Sequence, residues 1–428
     1  MSVLTITDCK AVIDGELLEC EIQIENEKIV EIKKVIHGEK GVVLSARGLI
    51  VIPGLIDVHA HILDPVIPSS NFKNASEMAL LGGVTTVLEM PTDKPTLSKN
   101  VVLEKLERAK REAIVDFGFH AGNYRAGCGA EIHKLKGFLK AIKGFLCSPY
   151  QIDNLEEFFT VADEAGLLPM LHCEDEAVLR EAAGKLDGKE LKPSDYPMLR
   201  PSQAEKFAVE RALSTATDLN APLHIVHLSS KEGVEVLRKH KVSKISAEVC
   251  PHHLVFTRKD LEEKGALLKM NPPLREKEDV ETLWHALISG LVDCVSTDHF
   301  YTPQEEKQKP IESAPAGIPG LEALCPLIYT YGVKKRGMSM ARFVEVVTGT
   351  QAKKFGLYQK GRIEKGMDAD LVLLNPKVTK KFRSKYWSPY EGMELTGYPE
   401  IVILRGSVVM EHGEVCGKPG SGKFVFGP

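Results

Sequence analysis

The 428-residue sequence has no apolar run that approaches the roughly 20 residues needed by a membrane-spanning helix. Its opening residues, MSVLTITDCKAV, lack the basic and then apolar pattern of a secretory signal peptide. Neither sign of charge dominates, since 55 Lys and Arg stand against 59 Asp and Glu, a net charge of −4. These absences predict a soluble cytoplasmic protein that binds neither nucleic acid nor membrane, and they are compatible with a homo-oligomer.

The sequence also lacks any C-x-x-C pair, although it contains nine cysteines. These cysteines are scattered, mostly inside apolar runs, as at Cys20, Cys147, Cys173, Cys250, Cys294 and Cys325. Such placement predicts buried thiols, and it argues against a disulfide framework or a zinc site built from cysteines. Cys147 and Cys173 are therefore interpreted as packing residues, not nucleophiles.

No internal repeat, low-complexity tract or linker interrupts the chain. With 43% hydrophobic residues, 27% charged residues and 35 glycines, the composition is close to that of an average globular protein. It argues against a disordered, collagen-like or coiled-coil chain. The length allows two or three domains at about 150 residues each, although a single α/β barrel reaches about 200 to 250 residues.

Two kinds of hydrophobic periodicity divide the chain. Residues 1–50 alternate between apolar stretches and turns, which predicts small antiparallel strands. Between Ile52 and Asp298, short apolar strand candidates alternate with helical segments; the candidates are LIVIPGLIDVHAH, VTTVLEM, DFGFHAG, AIKGFLC, LLPMLHCE, LHIVHLSS, KISAEVC and DCVSTDH. Eight such units, with no G-x-G-x-x-G after the first, favour a closed (β/α)8 barrel of the TIM type over an open doubly wound sheet.

After about Gly356 the alternation ends and short strands return. We therefore predict that the two β-rich ends meet in one small, discontinuous, sandwich-like β domain. The predicted domains are residues 1–51 with 356–428 for this small domain, and residues 52–355 for the catalytic barrel.

Side chains that can bind a metal ion occur where several strand candidates end. His59 and His61 form an H-x-H pair, and residues two apart on a strand point to the same face. The other such residues are His172, His227 and Asp298, each of which closes an apolar run. Because the carboxyl ends of barrel strands meet at one face, these residues predict a metal site there. Four histidines and one carboxylate suit zinc or a similar borderline metal. The H-x-H motif taken alone could also be two partly exposed strand histidines that bind no metal.

Four further residues are open to more than one interpretation from the sequence alone. Lys143 lies inside the apolar run AIKGFLC, and local sequence favours a side chain that reaches solvent over one whose charge is altered. Asn271 precedes Pro272 and is either a turn residue or a substrate contact. The pair His252 and His253 favours a structural or supporting role.

The order H-x-H, Lys143, His172, His227 and Asp298 resembles the amidohydrolase superfamily, and within it the cyclic amidohydrolases: dihydroorotase, allantoinase and dihydropyrimidinase or hydantoinase. The matching motifs are PGLIDVHAHILDP, GGVTTVLEMPTDKP, AIKGFLC, HCED, HIVHLSS, EVCPHHL, MNPPLR, STDH, PAGIPGLE and GRIEKGMDADLVLLNP. The overlap covers nearly the whole chain and is most similar to type I dihydroorotases and allantoinases.

The resemblance implies a site with two divalent metal ions and a small cyclic amide as substrate. The types of ligand favour zinc as the metal. Lys143 would carry CO2 as a carbamate that bridges the ions. The implied ligands are His59, His61, Asp298 and the carbamate for one ion, and the carbamate, His172 and His227 for the other. Asp298 would also move a proton from the attacking water to the leaving nitrogen, and Asn271 would contact the substrate.

The sequence departs from the dihydroorotase pattern where that family holds the carboxylate and ring of its substrate. Dihydroorotases read HxHLR, MPNTxP and DHAPH, but this chain has Leu63, Thr92 and Thr302 in place of the Arg, the Asn and the second His. Where hydantoinases carry a Tyr, this chain has Ser148, with Tyr150 two residues further on. These changes predict an altered pocket that prefers an uncharged ring, unless Lys94 or Arg275 binds the carboxylate instead.

Two other functions remain open from sequence. One is a non-catalytic scaffold similar to the dihydropyrimidinase-related proteins, which keep the fold and lose metal ligands. The complete set of ligand residues here favours an enzyme. The other is a related amidohydrolase that acts on an acyclic or non-pyrimidine amide.

Overall fold

The computed structural model describes residues 3–36, 41–63, 67, 69–91, 96–122 and 124–425. Its strands form two nine-stranded sheets. We call one the terminal sheet, since both ends of the chain build it, and the other the barrel sheet. Thr92 and Lys94, which the sequence analysis considered for contact with substrate, lie outside the described residues.

The terminal sheet joins strands from the two ends of the chain. It begins with β1 (Val3–Ile13), β2 (Glu16–Glu25), β3 (Lys28–Lys33), β4 (Val42–Ser45) and β5 (Ile50–Pro53). The barrel sheet follows with β6 (Leu55–His61), β7 (Val84–Glu89), β8 (Asp116–Ala121), β9 (Leu139–Phe145), β10 (Leu168–His172), β11 (Leu223–Ile225), β12 (Ile245–Val249), β13 (Cys294–Val295) and β14 (His299–Phe300). The terminal sheet resumes with β15 (Leu371–Lys381), β16 (Glu394–Leu404), β17 (Ser407–Glu411) and β18 (Glu414–Val415).

The order of strands confirms the predicted barrel. Strands β6 to β13 are neighbours in sequence order, and β14 pairs in parallel with β6 to close the ring. The eighth strand is divided into β13 and β14. In the terminal sheet, β15 runs antiparallel to β5, so the two β-rich ends of the chain share one sheet as predicted. The domain boundaries at residues 51/52 and 355/356 stay a prediction.

Helices connect and surround the strands. The α-helices are α1 (Phe72–Leu81), α2 (Lys99–Glu112), α3 (Gly129–His133), α4 (Leu155–Ala165), α5 (Glu176–Leu186), α6 (Tyr196–Leu199), α7 (Ser202–Asp218), α8 (Lys231–His240), α9 (Pro251–Val255), α10 (Arg258–Lys264), α11 (Lys277–Ser289), α12 (Gln304–Lys307), α13 (Leu324–Ile328), α14 (Met340–Val344) and α15 (Thr350–Lys354). Shorter 3-10 turns cover Pro193–Asp195, Gly265–Leu268 and Leu321–Ala323, and π-helical turns cover Tyr329–Lys334 and Glu345–Gly349. Within the described ranges, no helix has both the length and the apolar character to cross a membrane.

Local sequence explains where these helices begin and end. The Asn154 side chain caps α4 by accepting a hydrogen bond from the Glu157 backbone N–H, and Gly166 follows its last turn with a φ of 67°. Ser230 caps α8 in the same way through the N–H of Gly233. Each cap places a helix directly after a barrel strand or its loop, so the strand ends stay at one face of the barrel.

The chain passes from the terminal sheet to the barrel at Gly54. The prediction that LIVIPGLIDVHAH is one strand was wrong, because β5 pairs with β1 and β15 whereas β6 pairs with β7 and β14. A Cβ atom on Gly54 would lie 2.2 Å from Oγ1 of Thr85 in β7. Only glycine lets the backbone pass this close to its neighbour.

An ionic cluster ties the barrel to the terminal sheet. Lys360 Nζ lies 2.7 Å from Asp116 Oδ2 in β8 and 2.5 Å from Asp370 Oδ2 beside β15. The Arg405 guanidinium also pairs with Asp116. The side chains of Lys360 and Asp116 are 5% and 2% exposed, so these charges compensate one another out of contact with water.

Candidate metal centre

The predicted metal-binding side chains lie together at one end of the barrel, where they line a cavity of about 260 Å³. They come from five places in the barrel sheet. His59 and His61 lie in β6, Lys143 in β9, His172 at the end of β10, His227 two residues after β11, and Asp298 between β13 and β14. The cavity is completed by Phe145, Cys147, Ser148, Pro149, Tyr150, Arg200, Asn271, Phe300, Ala316 and Gly317. A larger cavity of about 710 Å³ lies elsewhere and includes none of the predicted site residues in its lining.

One group of ligand atoms belongs to His59, His61 and Asp298. Oδ1 of Asp298 lies 3.1 Å from His59 Nε2 and 3.3 Å from His61 Nε2. One ligand atom from each residue lies within 4.8 Å of the others. Burial alone would raise the pKa of Asp298, but the nearby His59 and His61 outweigh it and hold that pKa well below its ordinary value.

The hydrogen bonding of His59 tests whether a cation fits this group. Its Nδ1 lies 2.5 Å from Glu248 Oε1, and a carboxylate oxygen accepts, so Nδ1 carries the hydrogen and a neutral ring has its lone pair on Nε2. That buried Nε2 has no hydrogen-bond partner in the described part of the chain. A lone pair that faces the Asp298 carboxylate is favourable when a cation lies between them, so these residues fit a metal ion.

The second group belongs to His172 and His227. His172 Nε2 donates to Glu174 Oε2 at 2.7 Å, and its Nδ1 lies 3.0 Å from His227 Nε2. The other ring nitrogen of His227 is buried and makes no hydrogen bond to any described residue. Burial, followed by the charge of His172, lowers the pKa of His227 well below the usual value for histidine, which favours the neutral ring that binds metals.

Lys143 is enclosed by the same cavity. The interpretation favoured by its local sequence, a side chain that reaches solvent, was wrong, since Lys143 is only 3% exposed. Its Nζ lies 5.3 Å from the centre of the Phe145 ring. Burial lowers the pKa of Lys143 to about 8. The reason is tertiary, because neighbouring strands and the loops above them cover a position that would be open in an isolated strand.

Two of the site residues have backbone conformations that side chains rarely adopt. The φ angles are 38° at His227 and 48° at Asp298. Residues in this left-handed region carry a conformational cost that the surrounding structure must offset. Both turn the chain just after a short strand, and the break between β13 and β14 is where Asp298 enters the site.

Three carboxylates that sequence reasoning missed support these residues from behind. Glu248 in β12 accepts hydrogen bonds from His59 and from His224 Nε2 at 3.1 Å. Glu174 accepts from His172 and pairs with the Arg200 guanidinium. Asp57 accepts from the backbone N–H of His59 at 3.0 Å. The available signal was an acidic residue inside or directly after an otherwise apolar strand, as in KISAEVC, LLPMLHCE and LIDVHAH.

The predicted substrate contacts are distributed unevenly. Asn271 lines the cavity, and its Oδ1 accepts a hydrogen bond from the Tyr196 hydroxyl at 2.6 Å. Leu63 and Thr302 are each 1% exposed and are not among the residues that line the cavity. Their contact with substrate stays a prediction.

The two arginines near the site differ in their access to it. Arg275, considered for a substrate carboxylate, is buried away from the cavity and donates to Ser229 Oγ and the Arg200 carbonyl. Arg200, which the sequence analysis did not consider, does line the cavity. Its guanidinium is already paired with Glu174.

Comparison with known proteins agrees with this architecture. The model of the amidohydrolase family matches residues 50–409. Over 458 aligned positions the chain is 32% identical to a dihydroorotase of Methanosarcina acetivorans, covering 100% of this chain and 96% of the relative. It is 31% identical to an allantoinase of Salmonella gallinarum, with 99% and 98% covered. The solved structure of an L-hydantoinase (dihydropyrimidinase) from Arthrobacter aurescens superposes with a TM-score of 0.93 at 30% identity over 100% of both chains.

The chain belongs to the amidohydrolase family. It is an enzyme of the metal-dependent cyclic amidohydrolase type, as the family match and the curated relatives indicate together. The relatives are named differently, as dihydroorotase, allantoinase and L-hydantoinase, so the comparisons leave the substrate of this chain undetermined.

Proposed function

We propose that this enzyme hydrolyses the C–N bond of an uncharged cyclic amide at a site for two divalent metal ions. His59, His61, Asp298 and a carbamate on Lys143 would hold one ion, and the carbamate, His172 and His227 would hold the other. The observation that carries the proposal is the convergence of these side chains, from separate strand ends, on one cavity.

The chemistry of the donor atoms supports zinc or a similar borderline metal, because they are imidazole nitrogens and carboxylate oxygens. Bound metal ions would supply an activated water and a polarised carbonyl. The cavity of about 260 Å³ is large enough for a small ring, and aromatic rings of Phe145, Tyr150 and Phe300 lie in its wall.

The side chains of this enzyme would do the remaining work. Glu248 and Glu174 hold His59 and His172 in fixed orientations, so that one ring nitrogen of each faces the cavity. The Asp298 carboxylate, at the cavity, would take a proton from the attacking water and deliver it to the leaving nitrogen. Asn271 would donate its amide N–H to the substrate ring, since its Oδ1 already accepts from Tyr196.

The charge of the cavity supports an uncharged ring. Among the described lining residues, the Lys and Arg side chains are Lys143, which belongs to the proposed metal site, and Arg200, which pairs with Glu174. A substrate carboxylate would therefore meet no unpaired cation among the residues that the structure describes, at a cost of several kcal/mol. Allantoin, a dihydropyrimidine or a hydantoin avoids this cost.

A substrate panel with purified enzyme of measured metal content tests the proposal. The values of kcat/KM for allantoin, dihydrouracil, hydantoin and dihydroorotate should differ, with at least one neutral ring exceeding dihydroorotate by about tenfold or more, since about 1.4 kcal/mol corresponds to one decade. A highest kcat/KM for dihydroorotate would overturn the preference for an uncharged ring. Absence of hydrolysis of any cyclic amide, with both metals bound, would overturn the proposed reaction.

A further inference from the structure

A second cluster of metal-binding side chains lies outside the proposed catalytic site. Cys250 follows β12 directly, and His252 and His253 lie in the short helix α9. One ligand atom from each residue lies within 4.8 Å of the others, and the three residues are 0%, 1% and 2% exposed. None of them belongs to the set proposed above to hold the catalytic ions.

The ring nitrogens of this cluster have few partners. His253 Nε2 lies 3.0 Å from the Pro272 carbonyl oxygen, and a carbonyl only accepts, so Nε2 carries the hydrogen. A neutral His253 ring then has its lone pair on Nδ1. That Nδ1 and both ring nitrogens of His252 are buried without a hydrogen bond to any part of the chain that the structure describes. Unpaired polar atoms in such a position cost free energy, and each calls for a ligand or a water molecule.

In two other groups of buried metal-binding side chains, unlike this cluster, the ring nitrogens of the histidine have partners. In the group of Cys294, His224 and Glu248, the ring of His224 bonds to Ser246 Oγ at 2.8 Å and to Glu248 at 3.1 Å. In the group of Cys147, His172 and Glu174, both ring nitrogens of His172 have partners. The cluster after β12 is therefore distinguished by ring nitrogens that no described residue satisfies.

One further buried oxygen atom lacks a hydrogen-bond partner. The Tyr390 hydroxyl is fully buried and has no hydrogen-bond partner among the described residues. A thiolate with two imidazoles, and a hydroxyl or a water, is a donor set that suits tetrahedral zinc and not calcium or magnesium.

We propose that Cys250, His252 and His253 bind a third metal ion, zinc or a similar borderline cation, in a closed structural site. The ion would accept the His253 lone pair and the lone pair of one of the two unpaired nitrogens of His252. Its effect would extend to the catalytic cavity, because His253 donates to Pro272 and the preceding residue, Asn271, lines that cavity. The site would thus fix the segment that presents Asn271 to the substrate.

Cobalt reconstitution of the full-length protein separates this site from the catalytic one. The proposed catalytic ligands are nitrogen and oxygen atoms, so a thiolate-to-cobalt charge-transfer band in the near ultraviolet reports on a cysteine ligand. We expect one such band, which Cys250→Ser removes and the matched variants Cys147→Ser and Cys294→Ser keep. Elemental analysis should show one metal equivalent per chain fewer in Cys250→Ser than in the unsubstituted protein.

Absence of the band, or a band that survives Cys250→Ser, would overturn the proposal. So would loss of the band in Cys147→Ser or Cys294→Ser instead. If Cys250→Ser does not fold, X-ray absorption at the zinc edge of the unsubstituted protein decides the question, since sulfur in the first coordination shell supports the site and its absence refutes it. None of these outcomes depends on hydrolysis of a cyclic amide.

Discussion

The Nδ1 atom of His59 lies 2.5 Å from Oε1 of Glu248, and both side chains are almost completely buried. This contact fixes the tautomer of His59 and directs its Nε2 toward Asp298. Glu248 comes from β12, whereas His59 comes from β6. Glu248, in the interior of the barrel, therefore sets the orientation of His59, a proposed metal-binding residue at the open end.

Replacement of Glu248 by Gln should weaken metal binding without unfolding the protein. The volume is kept, but the charge that favours the Nδ1–H tautomer of His59 is lost, and loss of such a partner typically costs 10- to 100-fold in metal affinity. Competition with a chelator measures this change. Glu205→Gln is the control, since Glu205 is equally buried but accepts hydrogen bonds from Ser229 and Ser230 away from the site. Equal metal affinity in the two variants would contradict the assigned role of Glu248.

Lys143→Ala should lose metal and activity together. A carbamate on Lys143 would supply the negative charge that reduces repulsion between two cations, and alanine cannot supply it. An excess of a short-chain carboxylic acid should restore part of both properties. Lys140→Ala provides the control, because Lys140 lies in the same strand and burial also lowers its pKa to about 8, but it does not line this cavity. Full metal occupancy and activity in Lys143→Ala would refute the bridging role.

Asp298→Asn should remain folded and lower kcat by about 10²- to 10⁴-fold, the usual contribution of a positioned general acid or base. The circular dichroism spectrum should be unchanged, since the amide has the volume of the acid. Steady-state kinetics at saturating substrate, with metal content measured in the same sample, separates slow chemistry from metal loss. A decrease in kcat of less than about tenfold would show that another group moves the proton.

Lys360→Met should destabilise the protein by about 3 to 5 kcal/mol, because the buried Asp370 would lose its cation and Asp116 would keep only Arg405. Urea unfolding near neutral pH measures the loss. Lys28→Met is the matched control: Lys28 pairs with Asp368 at 2.6 Å, but its side chain is 38% exposed, so we expect a loss of about 1 kcal/mol or less. Equal losses in the two variants would contradict the importance of burial.

The pH dependence of this cluster follows from its charges. Burial opposes the charge of Lys360, but Asp370 and Asp116 outweigh it and raise the pKa of Lys360. A raised lysine pKa contributes stability that is fully present below the unfolded value of about 10.4 and is lost only as the pH rises through the folded value. The difference between the unsubstituted protein and Lys360→Met should therefore be constant near neutral pH. The difference in unfolding free energy should become smaller in acid, where protonation of Asp370 removes its uncompensated charge from the variant.

The barrel was predictable because each parallel strand is a short apolar run followed by a polar residue. His172 and Asp298 mark such ends in the sequence, and the structure places both beside the same cavity. Strands buried on both faces leave this pattern regardless of the helices between them. The pairing of the two chain ends was predictable for a related reason, since both show the period of antiparallel strands.

Other features depend on contacts between distant residues and leave no local signal. The burial of Lys143 depends on the strands beside it, and the crossing at Gly54 depends on the proximity of Thr85. Glu248 could be seen as an acidic residue in an apolar run, but its partner His59 is 189 positions away. The lack of a C-x-x-C pair argued against a cysteine zinc site, yet Cys250 and His253 are brought together by a turn that this spacing rule does not describe.

The antiparallel pairing of β5 with β15 also constrains the order in which the chain can fold during its synthesis. Leu371 pairs with Pro53, so roughly 300 residues must be synthesised before one edge of β5 is covered. Until β15 is made, the edge of β5 that it will cover stays exposed, and an exposed strand edge can pair wrongly with another nascent chain. Completion of the terminal sheet is a late event that couples the first strands made to the last.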